Sequence, residues 1–293
     1  MSRRFSYAWY TAIHDNQRFS GVWPDISGPR VPVVPWITPP ISPSVREFFR
    51  TEGERREFEP GEWLYPHVQV RSFMYVESGI TGRIVASLDG QSGAGAMAIS
   101  PPGRYASGNL NWITGRPAIG RYQALSHVCI REIRHDDALR YLRGREAEQY
   151  LKMLAQAELI NLSDRMGFAV LALLPAIERF KALMLGWAIY FGRLSDEDGK
   201  LRVTMPMPGR KAHIGQIIRT STVTLDAILA EMRSRHGYRL EGDFISLEAD
   251  ALQSAHDWMR HADGEEAYLP RPKRVEDQLR EAEAQDALIH REL

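Results

Sequence analysis

The stretch that decides the fold covers residues 213–232 and reads His-Ile-Gly-Gln-Ile-Ile-Arg-Thr-Ser-Thr-Val-Thr-Leu-Asp-Ala-Ile-Leu-Ala-Glu-Met. Its apolar residues recur at helical spacing in two runs, 214–218 and 225–232, which predicts two short helices. Residues 219–221 form the turn between them. Ser221 or Thr222 can cap the second helix, because a hydroxyl oxygen accepts a hydrogen bond from the free N–H groups at a helix start. Such a pair is a helix-turn-helix, whose second helix can enter a DNA major groove.

Charge is distributed unusually around this motif. The exposed start of the second helix carries Thr222, Val223, Asp226 and Ala227, and none of these is an arginine or a lysine. The whole chain of 293 residues has a formal net charge of +0, which excludes a globally basic protein. Residues 201–240 nevertheless hold seven basic and two acidic residues, a local excess of +5. Phosphate binding needs such a local patch, although a solvated charged face is the other interpretation.

The remaining composition excludes several classes of protein. The chain has one cysteine, Cys129, so an internal disulfide or a cysteine-ligated iron–sulfur cluster cannot form within one chain. The most apolar run, residues 166–174, is far shorter than the roughly 20 residues that a membrane-spanning helix needs. No apolar signal core follows Arg3 and Arg4. We therefore expect a cytoplasmic protein without a membrane partner.

The chain before the motif divides into three parts. Residues 1–42 are rich in proline and aromatic residues, which predicts an extended N-terminal arm, because proline removes backbone donors and fixes the backbone. Residues 43–135 contain short alternating runs separated by glycines, a pattern typical of an antiparallel roll or barrel. Residues 136–174 are helical in period, and Pro175 stops or bends the helix. Apolar residues spaced four and three apart predict a coiled-coil seam with a partner helix or with the same domain: Ala155, Leu159, Leu162, Met166, Ala169 and Leu173.

The chain after Pro175 divides into two parts. Residues 175–262 hold a second amphipathic helix at 176–190, the helix-turn-helix, and two strand candidates at 238–240 and 244–247 separated by Gly242 and Asp243. A hairpin after such a motif predicts a winged helix-turn-helix. Residues 263–293 are polar, with an acidic excess, and predict an exposed or frayed helical tail.

The order of these parts resembles the Crp/Fnr superfamily of bacterial transcription regulators. The resemblance covers roughly residues 45–250. It is carried by Phe-Glu-Pro-Gly-Glu-Trp-Leu at 58–64, Tyr-Val-Glu-Ser-Gly at 75–79, Pro-Gly at 102–103, Ser-Gly at 107–108, Ser-Asp-Arg-Met-Gly at 163–167, Glu-Arg at 178–179 and the helix-turn-helix. The resemblance implies an α+β fold: a cyclic-nucleotide-binding-like jelly roll, a long dimerisation helix and a C-terminal winged helix-turn-helix. It also implies a homodimer that reads a two-fold-related site on double-stranded DNA, with RNA polymerase as a further partner.

The chain departs from this family where cyclic AMP would bind. In members that bind cyclic nucleotides, a glycine-glutamate pair holds the ribose and an arginine pairs with the phosphate. Here the pair is Gly108-Asn109, and Ala118 stands at the arginine position, so Arg116 or Arg121 would have to replace it. We expect that cyclic AMP is not the effector, and the sequence leaves the cofactor unknown. The resemblance places the effector pocket around Gly108, Asn109, Leu110, Arg116, Arg121 and Ser163.

The second departure is the recognition helix, because an arginine that would pair with guanine is missing. Thr222 and Thr224 can hydrogen-bond a base or a phosphate, Val223 and Ala227 can pack on thymine methyl groups, and Asp226 repels phosphates unless it accepts from cytosine. We therefore expect modest direct readout and more reliance on backbone and shape. The candidate DNA-binding residues are Arg210, Lys211, Arg219, Thr220, Ser221, Thr222, Val223, Thr224 and Ala227.

Two other classes of function compete with a DNA-binding regulator. An enzyme or metal protein of the cupin type is disfavoured, because His67, His127 and His135 are scattered and the sequence has no Gly-x-Ser-x-Gly elbow or phosphate loop. We predict neither catalytic residues nor a metal site. A Crp-like dimer that no longer binds DNA and acts through protein contacts is the main alternative. The neutral recognition helix and the added termini favour it.

Overall fold

A computed structural model describes residues 7–14, 18–19, 31–65, 71–85, 96–107, 120–143, 147–262 and 274–289. The chain forms two compact units. The first unit is Phe19–Gly167, and the second combines Met1–Arg18 with Phe168–Leu293. Among the described residues, no helix is both long enough and apolar enough to cross a membrane.

Two antiparallel sheets make up the first unit. Its strands are β1 (Glu54–Phe58), β2 (Ser72–Ser78), β3 (Thr81–Val85), β4 (Ala96–Ser100), β5 (Arg104–Ser107), β6 (Arg121–Ala124) and β7 (Val128–Arg134). One sheet has the order β1-β7-β2-β5 and the other has the order β4-β3-β6. Every pairing between these strands is antiparallel. The predicted β-roll is therefore confirmed.

Both faces of strand β2 are buried, each against a different apolar cluster. Phe73 and Tyr75 point into one apolar cluster, together with residues of helix α2 (Pro43–Glu52) and helix α3 (His135–Arg143). Met74 and Val76 point into a second cluster on the other face of the sheet. Alternate side chains of a strand point to opposite faces. The continuous apolar run 73–76 therefore joins two cores.

The proline-rich residues 31–42 are packed inside the first unit. Thr38 N donates to Ile99 O at 3.0 Å, and Ile99 N donates to Trp36 O at 2.7 Å. The prolines at 32, 35, 39 and 40 have no N–H, so the segment forms isolated bridges with β4 and β5 rather than a full strand. Val34 and Ile37 are almost fully buried. This segment is thus a core element and not a free arm.

The first described residues correct the extended arm predicted for 1–42. Tyr7–His14 forms helix α1, because this stretch contains no proline and places Trp9 and Ile13 one helical turn apart. Both side chains are buried, and Trp9 Nε1 donates to Met207 O at 2.9 Å. The buried Arg18 guanidinium donates to Ile189 O at 2.9 Å and to Gly192 O at 3.0 Å. These residues are a structural part of the second unit.

Helix α4 (Ala147–Leu173) begins in the first unit, and α5 (Ala176–Phe191) follows it in the second, with Pro175 at the break between them. Two further helices follow, α6 (Lys211–Ile217) and α7 (Thr222–His236). The sheet of the second unit has the order β10-β11-β9-β8 and is formed by β8 (Arg193–Glu197), β9 (Lys200–Pro206), β10 (Arg239–Glu241) and β11 (Phe244–Glu248). The hairpin predicted after the helix-turn-helix is β10–β11. The hairpin β8–β9 was not predicted from the sequence.

The C-terminal residues also differ from the exposed or frayed tail that was predicted. After a 3₁₀ turn (Ala249–Leu252) and α8 (Gln253–Ala262), helix α9 (Val275–Ile289) packs into the second unit. Val275, Leu279 and Ala282 are buried and lie on one helical face. Glu283 also accepts a hydrogen bond from the backbone N–H of Leu194, at 3.1 Å. The prediction was wrong because it rested on the polar composition of the segment, in which only a narrow stripe is apolar.

Replacing Trp9 by alanine tests whether α1 belongs to the folded core. Trp9 is 1% exposed whereas its neighbour Tyr10 is 38% exposed. We expect Trp9→Ala to lower the free energy of unfolding by about 3–5 kcal/mol, because it leaves a large cavity. Tyr10→Ala is the matched control and should cost only about 0.5 kcal/mol, as a surface change. Equal effects in urea denaturation would contradict the docking of α1.

Candidate nucleic-acid interface

The helix-turn-helix is built as its apolar spacing predicts. Ile214 and Ile217 of α6 are buried, as are Leu225, Ile228 and Met232 of α7. Helix α7 begins at Thr222, and Ser221 is its N-cap. The Ser221 side chain accepts a hydrogen bond from Thr224 N at 3.1 Å. The two helices and the cap that the sequence predicted are therefore present.

A tight turn joins α6 to α7. Arg219 has a φ of +52°, and Thr220 N donates to Gly215 O at 2.9 Å. A β-carbon on Gly215 would lie only 3.3 Å from Thr220 O, so the close approach of the turn favours glycine there. Thr220 is partly buried at this turn. These contacts fix where α7 starts.

Arg179 of α5 donates hydrogen bonds to the turn between α6 and α7. Its Nη1 donates to Ile218 O at 3.2 Å and to Arg219 O at 3.4 Å, and its Nε donates to Leu174 O at 2.7 Å. The sequence reading named Arg179 only as part of the family resemblance. Its structural role was missed because two of its partners are backbone carbonyls about 40 residues away. The guanidinium fork thus donates to three backbone carbonyls at once.

The outward face of α7 is small and mostly uncharged near its start. Thr222, Val223, Thr224, Asp226 and Ala227 are all exposed. Val223 is 79% exposed, the largest value among the exposed large hydrophobic residues of the described chain. The structure therefore places the predicted readout residues on one accessible helix end.

Two charged side chains at this face neutralise each other. Lys211 Nζ of α6 forms an ion pair with Asp226 Oδ1 of α7. Lys211 was predicted to contact the DNA backbone and Asp226 to repel it, but the structure pairs them. The pair is half-exposed, so we attribute about 1 kcal/mol or less to it. It removes the local negative charge from the helix start without leaving a net positive one.

The local basic excess forms less of a surface than its count suggests. Arg202 is buried and donates to Gly237 O at 2.6 Å and to Ser246 Oγ at 3.0 Å. Arg239 pairs with Glu197 at 3.1 Å, and Arg235 pairs with Glu231 at the same distance. Arg210 and Arg219, which flank α6, are exposed. Because both are exposed, they are still candidate phosphate contacts.

Most of the predicted effector pocket, namely Gly108, Asn109, Leu110 and Arg116, lies outside the described residues. Arg121 and Ser163 are described. The Arg121 guanidinium lies over the ring of Trp63, with its Cζ 4.7 Å from the centroid. Ser163 is buried, and its Oγ lies 2.7 Å from Val34 O and 3.1 Å from Ile37 O. Both side chains are therefore engaged within the chain.

A buried ion pair that the sequence reading did not identify lies one residue beyond Ser163. Arg83 of β3 pairs with Asp164 of α4, and both side chains are largely buried. Burial opposes the charge on Arg83, but Asp164 and Tyr122 outweigh it and raise the pKa of Arg83. Losing either partner would strand a buried charge. The pair thus fixes α4 against the roll.

Helix α4 has two apolar faces, and among the described residues only one of them is fully buried. The covered face is formed by Met153, Ala157, Ile160, Gly167 and Val170. The predicted seam residues Ala155, Leu159, Met166 and Ala169 are only partly buried, Leu162 is 38% exposed and Leu173 is 69% exposed. The seam is therefore a stripe that the described part of the chain covers only in part.

Other chemistry finds no support within the described ranges. No group of three or more His, Cys, Asp or Glu residues there could hold a metal ion. Cys129 is buried and donates to Glu77 Oε2 at 3.2 Å. Burial, with Glu77 beside it, raises the pKa of Cys129 to about 11. A thiol that stays protonated is a poor nucleophile.

Comparison with known proteins bears on the fold. No family model matches the sequence, and no curated protein matches it. Among solved structures, a mutant of CooA from Carboxydothermus hydrogenoformans is 15% identical, with a TM-score of 0.56, over 78% of this chain and 97% of that chain. FixK2 from Bradyrhizobium japonicum is 17% identical, with a TM-score of 0.55, over 70% and 96%. TTHB099 from Thermus thermophilus, a transcriptional regulator of the CRP family, is 14% identical, with a TM-score of 0.50, over 69% and 96%. The chain therefore has the fold of Crp/Fnr regulators, as the resemblance implied.

His213 makes the stability of the second unit depend on pH. Its Nδ1 accepts from Arg210 N at 3.3 Å, and burial, with Arg210 nearby, lowers the pKa of His213 to about 4 from 6.5. The unfolded chain binds the proton first as pH falls. Stability should therefore be complete above pH 6.5 and decline between pH 6.5 and 4, by up to about 3 kcal/mol.

The matched variant is His213→Asn, which keeps an acceptor near Arg210 N but does not titrate. Urea denaturation should show a weaker loss of stability between pH 6.5 and 4 for this variant. NMR of the wild-type His213 ring should give a midpoint near pH 4. A midpoint near 6.5, or an unchanged slope in the variant, would contradict the assignment.

Proposed function

We propose that this chain is a homodimeric, cytoplasmic, DNA-binding transcription regulator of the Crp/Fnr type and not an enzyme. The observation that carries the proposal is the helix-turn-helix with the exposed first turns of α7, set in the fold of known regulators. We assign residues 43–135 to a sensor domain, 136–174 to the dimerisation helix and 175–262 to the DNA-binding domain. RNA polymerase is a further partner of a regulator of this kind.

Contact with the DNA backbone would come from the ends of α6 and α7. Arg210 precedes α6 and Arg219 lies in the turn before α7, and both are exposed. Each can approach a phosphate when α7 enters the major groove, which is about 12 Å wide. Phosphate contacts position the protein but carry no sequence information. Because the start of α7 is neutral, we expect binding to depend mainly on phosphate contacts and on the shape of the DNA.

Dimerisation would cover the uncovered face of α4. Leu162 and Leu173 leave apolar surface in water, and a second α4 with the same stripe could bury it in a coiled coil. A two-fold dimer would present two α7 helices to half-sites about 34 Å apart. A coiled-coil dimer would therefore require an operator with two-fold symmetry.

Cyclic AMP is not proposed as the effector. Ser163, which would face an effector from α4, already contacts the carbonyl oxygens of Val34 and Ile37, and Arg121 stacks on Trp63. Neither group is poised to bind a cyclic phosphate. With a single cysteine, the chain also cannot ligate an iron–sulfur cluster by itself.

The Lys211–Asp226 ion pair favours a second candidate, a Crp-like dimer that acts through protein contacts without binding DNA. In that case the helix face would have lost its basic residues because no phosphate is contacted. The two candidates share the dimer and differ in affinity for DNA. The two experiments that follow therefore address the dimer and the DNA separately.

Replacing Leu162 by glutamate tests the dimer. We expect Leu162→Glu to weaken self-association by at least about tenfold, because a carboxylate would have to be buried in the seam. Sedimentation velocity over a range of concentrations measures the shift from dimer to monomer. Ala172→Glu, at an exposed position of α4 off the stripe, is the matched control and should leave the dimer intact. A monomeric wild type would reject the proposal.

Replacing Arg219 by alanine tests DNA binding. The wild type should bind a fragment of its own promoter with submicromolar Kd at low salt, and added cyclic AMP should leave that Kd unchanged. Arg219→Ala should weaken binding to all sequences alike and lower the slope of log K against log salt by about one. Arg140→Ala, which replaces an exposed arginine of α3 in the first unit, removes the same charge as a control.

The outcomes of this titration separate the two candidates. No shift of the promoter fragment at low salt would favour the protein-interaction dimer. Tighter DNA binding on addition of cyclic AMP would contradict the effector proposal alone. Equal effects of Arg140→Ala and Arg219→Ala would mean that net charge, and not the turn, determines affinity.

A further inference from the structure

Two hydroxyl groups at the start of α7 are already used within the protein. Ser221 Oγ accepts from Thr224 N, and the Ser221 and Thr224 hydroxyls lie 2.9 Å apart. These two hydroxyls complete the helix cap. If the Ser221 hydroxyl turned toward a base, Thr224 N would lose this acceptor and the Thr224 hydroxyl would lose its contact with Ser221. Ser221 and Thr224 are therefore structural rather than reading residues.

Asp226 is the group on this face that could accept a hydrogen bond from a cytosine amine, but it is paired with Lys211. The pairing also occupies the nearest lysine, which could otherwise donate to guanine. The exposed start of α7 has no Arg, Lys, Asn or Gln for the bidentate contacts that read guanine and adenine, and the Thr222 hydroxyl can bond to more than one kind of base. Hydrogen-bonded base readout is thus disfavoured.

Val223 has the opposite character. It is 79% exposed, so it contributes little to the core, and as a β-branched residue it is a weaker helix former than alanine. Ala227 lies one turn later on the same face and is exposed too. Together they make a small apolar surface at the end of α7 that would face the bases.

We propose that Val223, supported by Ala227, reads thymine through the C5-methyl group that this base presents in the major groove. The inference rests on the proposed DNA binding. Thymine is the standard base that offers an apolar group in that groove, and apolar side chains are its usual contacts. Val223 is then a specificity-determining residue, whereas Arg210 and Arg219 supply affinity that does not depend on sequence.

Uracil tests this proposal directly, because it pairs like thymine but lacks the C5-methyl group. Full-length protein is first used to select binding sites from a random double-stranded DNA pool. The selected site is then synthesised with thymine or with uracil at each position in turn. For the wild type, uracil should weaken binding about fourfold at each position where Val223 covers a methyl group, the loss expected for one buried methyl group.

Val223→Ala is the paired variant, and it is safe for folding because alanine favours the helix. It should bind the thymine site severalfold more weakly than the wild type and show no preference for thymine over uracil at the read position. Ser234→Ala, at an exposed position of α7 farther from the turn, should behave like the wild type. Circular dichroism confirms equal helix content.

Each failure has a different meaning. If the wild type binds a selected site equally well with thymine and with uracil, the methyl readout is overturned while DNA binding stands. If Val223→Ala keeps the full preference for thymine, the preference comes from DNA shape and the role of Val223 is overturned. If no site is enriched from the random pool, the proposed DNA-binding function itself fails.

Discussion

The packing of helix α4 is the constraint on which the rest of the structure depends. Its inner face is fixed by the Ser163 hydroxyl against the carbonyls of Val34 and Ile37, by the close contact of Gly167 with Trp36, and by the Arg83–Asp164 ion pair. A β-carbon on Gly167 would lie 2.7 Å from the Trp36 ring, so the close approach of α4 to Trp36 requires glycine at this position. Because the inner face is committed, the apolar seam must face outward, which makes α4 suitable for a partner.

In the helix-turn-helix, as in α4, polar side chains bond to backbone groups and fix the local geometry. Arg179 donates to three carbonyls around the turn, and Ser221 accepts at the start of α7. The polar side chains closest to the motif therefore maintain its geometry, and few remain for a ligand. The exposed start of α7 is therefore held in place although it carries few charged side chains. Affinity and sequence discrimination would then come from different residues.

Parts of this architecture were predictable from the sequence because they follow from spacing. The apolar spacing of 213–232 predicted both helices, the hydroxyl residues at 221–222 predicted the cap, and the short runs separated by glycines predicted the roll. The hairpin β8–β9 carried an unused signal, Asp198-Gly199, both at positive φ in its turn. The Lys211–Asp226 pair and the carbonyl partners of Ser163 were not predictable, because they join residues far apart in sequence. Helix α1 was missed because the prolines after residue 23 dominated the reading of residues 1–42.

The discontinuous second unit has a consequence for synthesis on the ribosome. Its first piece, Met1–Arg18, is made before the entire first unit, whereas the surfaces that bury Trp9 and Ile13 begin only at Phe168. At roughly 5–20 residues per second, the delay is about 10–30 s. During that interval, Trp9 and Ile13 of the nascent chain therefore lack the surfaces that bury them in the folded protein. A roll that folds early, with residues 31–42 already in its core, would shorten the loop that the N-terminus must search.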